Sequence, residues 1–195
     1  MRVIGGQLAG RRFGAPSGRE TRPTSDRVRE ALSSALESRG AFGDAVVLDL
    51  FAGTGALSFE ALSRGAASAV LVDRDSRAIR ELRKSAESLR LGERTEAVRL
   101  DLLRDPKMVA TKIPLIAKGY DLVFADAPYA EVERVPALLA ALCKERRLRS
   151  GAWIVVERPA SHDWEWPNGL APVADYRYGQ TGISLGRHEP EKGME

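Results

Sequence analysis

The stretch that most constrains the fold is a short apolar run that ends in a turn with two glycines. Residues 46–50 read Val-Val-Leu-Asp-Leu, and Gly53 and Gly55 follow before helical apolar spacing begins at Leu57. A near-continuous apolar run predicts a strand buried on both faces of a parallel sheet. Because glycines between such a strand and a helix N-terminus let a ligand approach the backbone, the stretch predicts a nucleotide-binding turn.

The residues around this turn indicate which kind of nucleotide it binds. A dinucleotide fingerprint has a third glycine three residues after the second, and this chain has Ser58 there. Asp49 lies inside the strand, where a carboxylate would oppose a pyrophosphate but could hold a cationic or amino group. S-adenosylmethionine has a sulfonium and an α-amino group and no phosphate. The pattern Asp-x-Phe-x-Gly-x-Gly, from Asp49 through Phe51 to Gly55, therefore favours S-adenosylmethionine as the cofactor.

The pattern of the chain from residue 45 onward is an alternation of strands and helices. Apolar runs predict strands at residues 46–50, 69–73, 96–100, 120–125 and 153–156, and a β-hairpin over 171–187. Strands that alternate with helices predict an α/β fold with a parallel sheet and with ligands at the carboxyl ends of its strands. Residues 1–14, in which Gly5, Gly6 and Gly10 interrupt the apolar residues, predict a separate short hairpin.

Four predicted strands contain or are followed by an aspartate at this carboxyl edge, namely Asp49, Asp73, Asp101 and Asp126. Asp73 comes 18 residues after Gly55, about the distance at which an acid binds the ribose hydroxyls of a nucleoside. Asp101 is then placed to accept a hydrogen bond from an adenine amino group. Asp126 follows the fourth strand and is not needed for these cofactor contacts, so its role requires another explanation.

The segment Asp126-Ala127-Pro128-Tyr129 suits chemistry on an amine attached to a nucleobase. Such an amine is a poor nucleophile because its lone pair is delocalised into the ring. Hydrogen bonds to the Asp126 carboxylate and the Ala127 carbonyl would turn that lone pair toward a methyl donor. Pro128 restricts residue 127 to extended conformations, and Tyr129 can stack on the base.

Positive charge is concentrated at the start of the chain. Residues 1–30 contain seven arginines and three acids, whereas the whole chain has a net charge of only +3. Arginine suits bidentate contacts with phosphates, so this segment predicts a polyanionic partner. The candidate RNA-binding residues are Arg2, Arg11, Arg12, Arg22, Arg27 and Arg29. We expect Arg27 and Arg29 on the exposed face of a helix that follows a linker over residues 15–23.

Length and composition narrow the class of protein. With 195 residues and 44% hydrophobic residues, the chain can form one well-buried domain with a small extension. No apolar run approaches the length of a bilayer span, and no leader precedes the first residues, so we expect a cytoplasmic protein. The single Cys143 excludes an internal disulfide and a cysteine-based metal site. We expect a monomer without metal.

The motifs together resemble those of a known family. Residues 49–55, Asp73 and residues 126–129 are similar to the class I S-adenosylmethionine-dependent methyltransferases that act on exocyclic amines. Five further segments narrow the resemblance to the RsmD-type methyltransferases, namely residues 2–6, 10–12, 21–30, 60–66 and the Tyr178-Gly179 pair. This resemblance covers nearly the whole chain.

The resemblance implies a Rossmann-like class I methyltransferase with a mostly parallel seven-stranded sheet, helices on both faces and a C-terminal antiparallel hairpin. It implies methylation of the N2 amine of one guanine in 16S rRNA, within the small ribosomal subunit or its assembly intermediate. The expected organisation is a basic hairpin extension and linker over residues 1–23, a methyltransferase domain over 24–188 and a disordered tail over 189–195. Ala127 departs from the family's usual proline, and we expect activity to be retained.

Three alternatives remain open from the residues alone. A nicotinamide-dependent oxidoreductase could use the same strand-turn-helix, although Ser58 and Asp49 disfavour it. A methyltransferase could instead modify adenine N6 in DNA or a protein glutamine, but no separate target-recognition domain is visible. A non-catalytic RNA-binding module is the third, for which Ala127 is the one argument.

Overall fold

A computed structural model describes residues 1–14 and 26–189 of the chain. The helices are α1 (Asp26–Glu37), α2 (Ala56–Ser63), α3 (Ser76–Leu89), α4 (Pro106–Lys112) and α5 (Val135–Lys144). The strands are β1 (Val46–Leu50), β2 (Ser68–Asp73), β3 (Thr95–Arg99), β4 (Tyr120–Ala125), β5 (Leu148–Pro159), β6 (Leu170–Tyr178) and β7 (Thr181–His188).

The strands form a seven-stranded sheet in the order β3-β2-β1-β4-β5-β7-β6. The pairs β1–β2, β2–β3 and β4–β5 are parallel, whereas β7 pairs antiparallel with both β5 and β6. The chain divides into two compact units, Met1–Arg99 and Leu100–Glu195. The α/β class, the mostly parallel seven-stranded sheet and the C-terminal antiparallel hairpin expected from the sequence are confirmed.

The first unit is built around β1 and β2. Val47, Leu48 and Leu50 of β1 are fully buried, as expected for a strand between two others. Helix α3 begins where the Asp75 side chain accepts a hydrogen bond from the backbone N–H of Arg77, which satisfies one unpaired helix donor. The buried residues of α3 recur at helical spacing, namely Ala78, Ile79, Leu82, Ser85, Ala86 and Leu89.

In the second unit, β5 is longer than its sequence indicates. The apolar run at 153–156 predicted four residues, but β5 extends to Pro159 because its ladder with β7 continues to the pair Pro159–Thr181. His188 is the last residue of β7 and is buried, and its Nδ1 lies 2.8 Å from the carbonyl oxygen of Arg149.

The N-terminal hairpin forms as predicted. An antiparallel bridge joins Arg2 and Arg12, and the Val3 N–H donates to the carbonyl of Arg11 at 3.0 Å, around a 3₁₀ turn at Gly6–Leu8. The linker at 15–23 and the tail from residue 190 lie outside the described residues. The domain division at residues 23 and 188 therefore stays a prediction.

Candidate active site

Asp49 is a buried carboxylate in the middle of β1. Its side chain is 2% exposed and accepts a hydrogen bond of 2.7 Å from the hydroxyl of Ser58, in the first turns of α2. Burial raises the pKa of Asp49 to about 7, and the nearby charge of Asp73 acts in the same direction, while the Ser58 hydrogen bond opposes them. A bound cation would favour the ionised carboxylate, so Asp49 is suited to a positively charged ligand group.

The turn after β1 is held by the carboxylate of Asp73, at the end of β2. One oxygen accepts the backbone N–H of Gly53 at 3.0 Å, and the other accepts the N–H of Asp75 at 2.8 Å. Asp73 is 4% exposed. The contact with ribose hydroxyls predicted for this carboxylate stays a prediction. In the structure the carboxylate organises the backbone of the turn, a role that residue spacing did not indicate.

Glycine is suited to positions 53 and 55 of the turn for two different structural reasons. Gly55 has φ of 76°, and a Cβ there would lie 2.6 Å from Leu82 and 2.7 Å from Phe59, so close packing of α2 requires glycine. Gly53 has φ of 54°, and the space for its Cβ is bounded only by the carbonyl oxygen of Phe51 at 3.7 Å. Phe51 itself has φ of 65°, in the left-handed region. The open backbone at Gly53 therefore leaves room for a ligand.

The residues around the turn after β1 fit S-adenosylmethionine in their donor set. Asp49 and Asp73 supply buried carboxylates for amino or hydroxyl groups, and the open backbone at Gly53 lies between them in the chain. The position of the missing third glycine is filled by Ser58, which is fully buried and serves Asp49. Because Ser58 stands where a dinucleotide-binding turn has its third glycine, this turn lacks the dinucleotide fingerprint.

Asp101 belongs to the second unit and lies beyond the end of β3, which stops at Arg99. Its Oδ1 accepts the N–H of Leu103 at 3.2 Å, and its Oδ2 lies 3.6 Å from Nε of Arg104. The side chain is 38% exposed. The carboxylate thus stabilises a local turn and keeps a solvent-facing side, and its predicted contact with adenine stays a prediction.

The segment Asp126–Tyr129 directly follows β4. Asp126 is half-buried and Ala127 is 2% exposed, so the segment leaves the sheet with its second residue packed in the core. Pro128 has φ of −50° and ψ of 136°, and its carbonyl accepts the N–H of Glu131 at 2.7 Å. This hydrogen bond starts a 3₁₀ turn at Tyr129–Arg134, which fixes the exit of the chain from the motif.

Tyr129 is held at the surface by a residue that the sequence analysis missed. Its ring is 39% exposed, and its hydroxyl lies 3.2 Å from the hydroxyl of Thr181, the first residue of β7. Thr181 is 8% exposed. The two residues are 52 positions apart, so no local pattern connects them. The neighbouring Tyr178-Gly179 pair, noted for its resemblance to the family, was the available signal.

Four of the six predicted RNA-binding arginines are exposed in the structure. Arg2, Arg11, Arg12 and Arg27 are exposed on the N-terminal hairpin and the start of α1, while Arg22 lies outside the described residues. Arg11 donates to the carbonyls of Ser88 and Leu89 at the end of α3, which anchors the hairpin. Their contacts with RNA stay predictions.

The expected exposure of Arg29 is wrong. Its side chain is 1% exposed and donates from Nη2 to Asp26 at 2.7 Å and to the carbonyl of Arg2 at 3.1 Å. Helix α1 buries positions 28, 29, 32, 33 and 36, because the stripe that faces the unit is rotated from the predicted one by about one residue. Arg29 therefore joins α1 to the N-terminal hairpin inside the first unit.

The sequence analysis also missed the residues that attach the N-terminal hairpin to α2. Glu60 is 1% exposed, and its two carboxylate oxygens accept the N–H groups of Ile4 and Gly5, each at 2.8 Å. Ser63, one turn later, accepts the N–H of Leu8 at 2.8 Å and donates to the carbonyl of Gly5. The hairpin is thus bound to the first unit through buried side chains.

The part of the chain that the structure describes meets the requirements of neither a metal site nor a membrane-spanning helix. Within residues 1–14 and 26–189, no group of three or more His, Cys, Asp or Glu side chains is arranged to hold a metal ion. In the same ranges, no helix has the length and apolar character needed to cross a membrane.

Solved structures share this fold. The structure of the Escherichia coli protein yhhF superposes with a TM-score of 0.82 and 29% identity, covering 98% of this chain and 99% of that one. A crystal structure of an RNA methyltransferase from Salinibacter ruber in complex with S-adenosyl-L-homocysteine has a TM-score of 0.62 and 17% identity. It covers 89% of this chain and 97% of its own, and at this identity it shows the fold alone.

Curated sequences and a family profile extend the comparison. The Bacillus subtilis protein YlbH is 34% identical over 95% of this chain and 97% of its own length. The Haemophilus influenzae protein named ribosomal RNA small subunit methyltransferase D is 31% identical over 80% of this chain and 78% of its own. A family profile described as "Conserved hypothetical protein 95" matches residues 1–187. The chain therefore belongs to this family, the RsmD-type methyltransferases, as the motifs in its sequence predicted.

Proposed function

We propose that the protein methylates the exocyclic N2 amine of a guanine in 16S rRNA of the small ribosomal subunit, with S-adenosylmethionine as donor. The observation that carries the proposal is the Asp126–Tyr129 motif at the end of β4, with the ring of Tyr129 exposed and its hydroxyl held by Thr181. The family membership and the name of the Haemophilus influenzae relative support the choice of small-subunit rRNA. Guanine N2 rests on the family resemblance.

The residues of the first unit are assigned to the methyl donor. Asp49, Phe51, Gly53, Gly55 and Asp73 form the turn after β1 and its support, and Asp101 is assigned to the adenine amino group. When bound, S-adenosylmethionine supplies a methyl group activated by its sulfonium. The buried carboxylates hold the cationic and hydroxyl-bearing parts of the donor, and the dry surroundings of Asp49 strengthen its attraction for a cation.

The residues of the Asp126–Tyr129 motif are assigned to the acceptor amine. Asp126 accepts one N–H of the guanine amine and the carbonyl of Ala127 accepts the other, so that the nitrogen lone pair is no longer conjugated with the ring. Tyr129 stacks on the flipped base and excludes water from its face. Pro128 keeps the Ala127 carbonyl in place. As the new N–C bond replaces the S–C bond of the sulfonium, the amine gives up one proton to the Asp126 carboxylate, which already accepts its N–H.

The exposed arginines are assigned to the phosphate backbone of the RNA. Arg2, Arg11, Arg12 and Arg27, together with Arg22, are suited to bidentate contacts with phosphates. The N-terminal segment 1–23 then acts as an RNA-gripping extension of a methyltransferase domain over 24–188. We place the protein in the cytoplasm, where ribosomal subunits are assembled, and expect it to act as a monomer.

The proposal is tested by transfer of labelled methyl groups to small subunits that lack the modification, with free 16S rRNA in parallel. Nucleoside analysis of the product should give N2-methylguanosine. N6-methyladenosine would overturn the assigned base, and label in DNA or in protein glutamine would overturn the substrate class.

Two alternatives from other classes are separated by ligand protection and by turnover. S-adenosylhomocysteine should raise the melting temperature, whereas NAD should not; the reverse would indicate an oxidoreductase. A protein that binds both S-adenosylhomocysteine and subunits but transfers no label would indicate an RNA-binding module. Ala127→Pro, which introduces the proline that is usual in the family, would then be the first variant to test for methyl transfer.

A further inference from the structure

Two tyrosines on β6 form an aromatic pair that the proposed reaction does not use. The rings of Tyr176 and Tyr178 have their centroids 6.4 Å apart and their planes at 27°. Both residues are half-buried, so part of each ring faces solvent. Because they are two positions apart on one strand, both side chains lie on the same face of the sheet.

Tyr129 lies on the same face as this pair. Tyr178 is the ladder partner of Thr181, and residues directly opposite in an antiparallel pair project their side chains to one side. The hydroxyl of Thr181 lies 3.2 Å from the hydroxyl of Tyr129. The chain has four tyrosines, so three of them are collected around one end of the β6–β7 hairpin.

We propose that Tyr176 and Tyr178 bind a nucleobase of single-stranded RNA that neighbours the methylated nucleotide. We call Tyr129, Tyr176 and Tyr178 the tyrosine surface. The inference rests on the proposed function, because it takes Tyr129 as the residue that stacks on the target base. A base that has been turned out of its helix exposes its neighbours, and aromatic side chains are the usual platform for such bases.

The chemistry of the tyrosine surface favours a base over a phosphate or a protein helix. The rings offer flat apolar faces, and a tyrosine phenol is uncharged at neutral pH. Burial, together with the neighbouring Tyr176, raises the pKa of Tyr178 further. The only cation between the two tyrosines, Arg177, alternates to the other face of the strand. Stacking therefore supplies the affinity of the tyrosine surface, and the arginines elsewhere supply the affinity for phosphates.

The test measures the Michaelis constant for small subunits that lack the modification. Tyr178→Leu should raise this constant about fivefold to 150-fold, the range for loss of one base–aromatic stack, and change kcat little. Tyr178→Phe and Tyr178→Trp keep a flat ring and should stay within about twofold of the wild type. Val173→Ala is the matched control, because Val173 is exposed on the same strand.

Two further measurements separate the inference from its alternatives. S-adenosylhomocysteine affinity and the melting temperature of Tyr178→Leu should match the wild type; parallel losses in both would show that Tyr178 is structural and would overturn the inference. An unchanged Michaelis constant in Tyr178→Leu, or a loss in Tyr178→Phe equal to that in Tyr178→Leu, would also overturn it. A wild-type protein that transfers no label to subunits would instead overturn the proposed function.

Discussion

The hydroxyl of Tyr129, which directly follows Pro128, lies 3.2 Å from the hydroxyl of Thr181, at the start of β7. This contact joins the proposed base-stacking residue to the C-terminal hairpin. Thr181 is buried, whereas the Tyr129 ring is 39% exposed, so the hydrogen bond holds the ring from its far end and leaves a face open. Thr181 is in this respect a positioning residue for Tyr129.

We expect Thr181→Val and Tyr129→Phe each to lower kcat/KM for subunits about fivefold, since each removes one neutral hydrogen bond. The double variant should lose no more than either single variant, because both remove the same interaction. Thr181→Ser should retain nearly full activity. Thr111→Val, in an exposed turn of α4, is the control. Losses that multiply in the double variant would contradict this role for Thr181.

Asp126→Ala should lower the rate of methyl transfer about 100-fold to 10,000-fold, because the variant loses the acceptor for the amine N–H. Binding of S-adenosylhomocysteine, measured by calorimetry, should change little. Asp121→Ala, at the other end of β4, is the control and should keep most of the activity. Full activity in Asp126→Ala would remove Asp126 from the mechanism.

The buried Asp49 should make the ligand-free protein less stable as the pH rises. Its pKa is raised from 3.8 to about 7 in the folded state, so between pH 4 and 7 the unfolded chain loses this proton first. The free energy of unfolding should therefore fall across this range by up to about 4 kcal/mol. Asp49→Asn should abolish that fall. Urea unfolding at pH 4 and pH 8 measures this fall, and identical pH profiles for both proteins would refute the assignment.

The same carboxylate should make donor binding depend on pH. A cation beside Asp49 favours its ionised form, so S-adenosylmethionine should bind more tightly at pH 8 than at pH 6, with release of a proton. Calorimetry in two buffers of different ionisation enthalpy measures that proton. In Asp49→Asn the affinity for S-adenosylmethionine should be lower and should not change between pH 6 and pH 8. A pH dependence that persists in this variant would show that a group other than Asp49 titrates.

Glu60→Ala should destabilise the first unit by about 3 kcal/mol, because it leaves the partly buried N–H groups of Ile4 and Gly5 and the guanidinium of Arg64 without their shared buried acceptor. Glu37→Ala removes the other carboxylate bound to Arg64, but Glu37 is 56% exposed. Its effect should be under about 1 kcal/mol. Equal losses of unfolding free energy in the two variants would contradict the importance of the buried carboxylate.

The arginines at the start of the chain should separate into RNA contacts and structural residues. Arg12→Gln and Arg27→Gln should each reduce the slope of log Kd against log salt concentration for RNA by about one, while the melting temperature stays unchanged. Arg29→Gln should lower the melting temperature, because Arg29 is buried against Asp26 and the Arg2 carbonyl. An unaltered melting temperature in Arg29→Gln would contradict this structural role.

Features encoded by neighbouring residues could be predicted from the sequence. The strand at residues 46–50, the glycine turn after it and the cap of α3 by Asp75 are set by local apolar spacing and by hydrogen bonds over two or three positions. The same holds for β4 and the exit at Pro128. Family membership followed from the same short motifs.

The features that could not be predicted depend on contacts between residues far apart in the chain. Glu60 meets Ile4 across 56 positions, and Tyr129 meets Thr181 across 52. The sequence predicted Arg29 on the exposed face of α1. In the structure the buried stripe of this helix is rotated by about one residue, so Arg29 is buried.

The α/β alternation, the glycine turn after β1 and the Asp126–Tyr129 motif could be read from local sequence, because each is specified by residues within one strand, turn and helix. Long-range contacts decide which charged side chains are buried, how the N-terminal hairpin is attached and what holds Tyr129. A buried carboxylate or guanidinium is stable only beside particular partners, and those partners come together only when the chain folds.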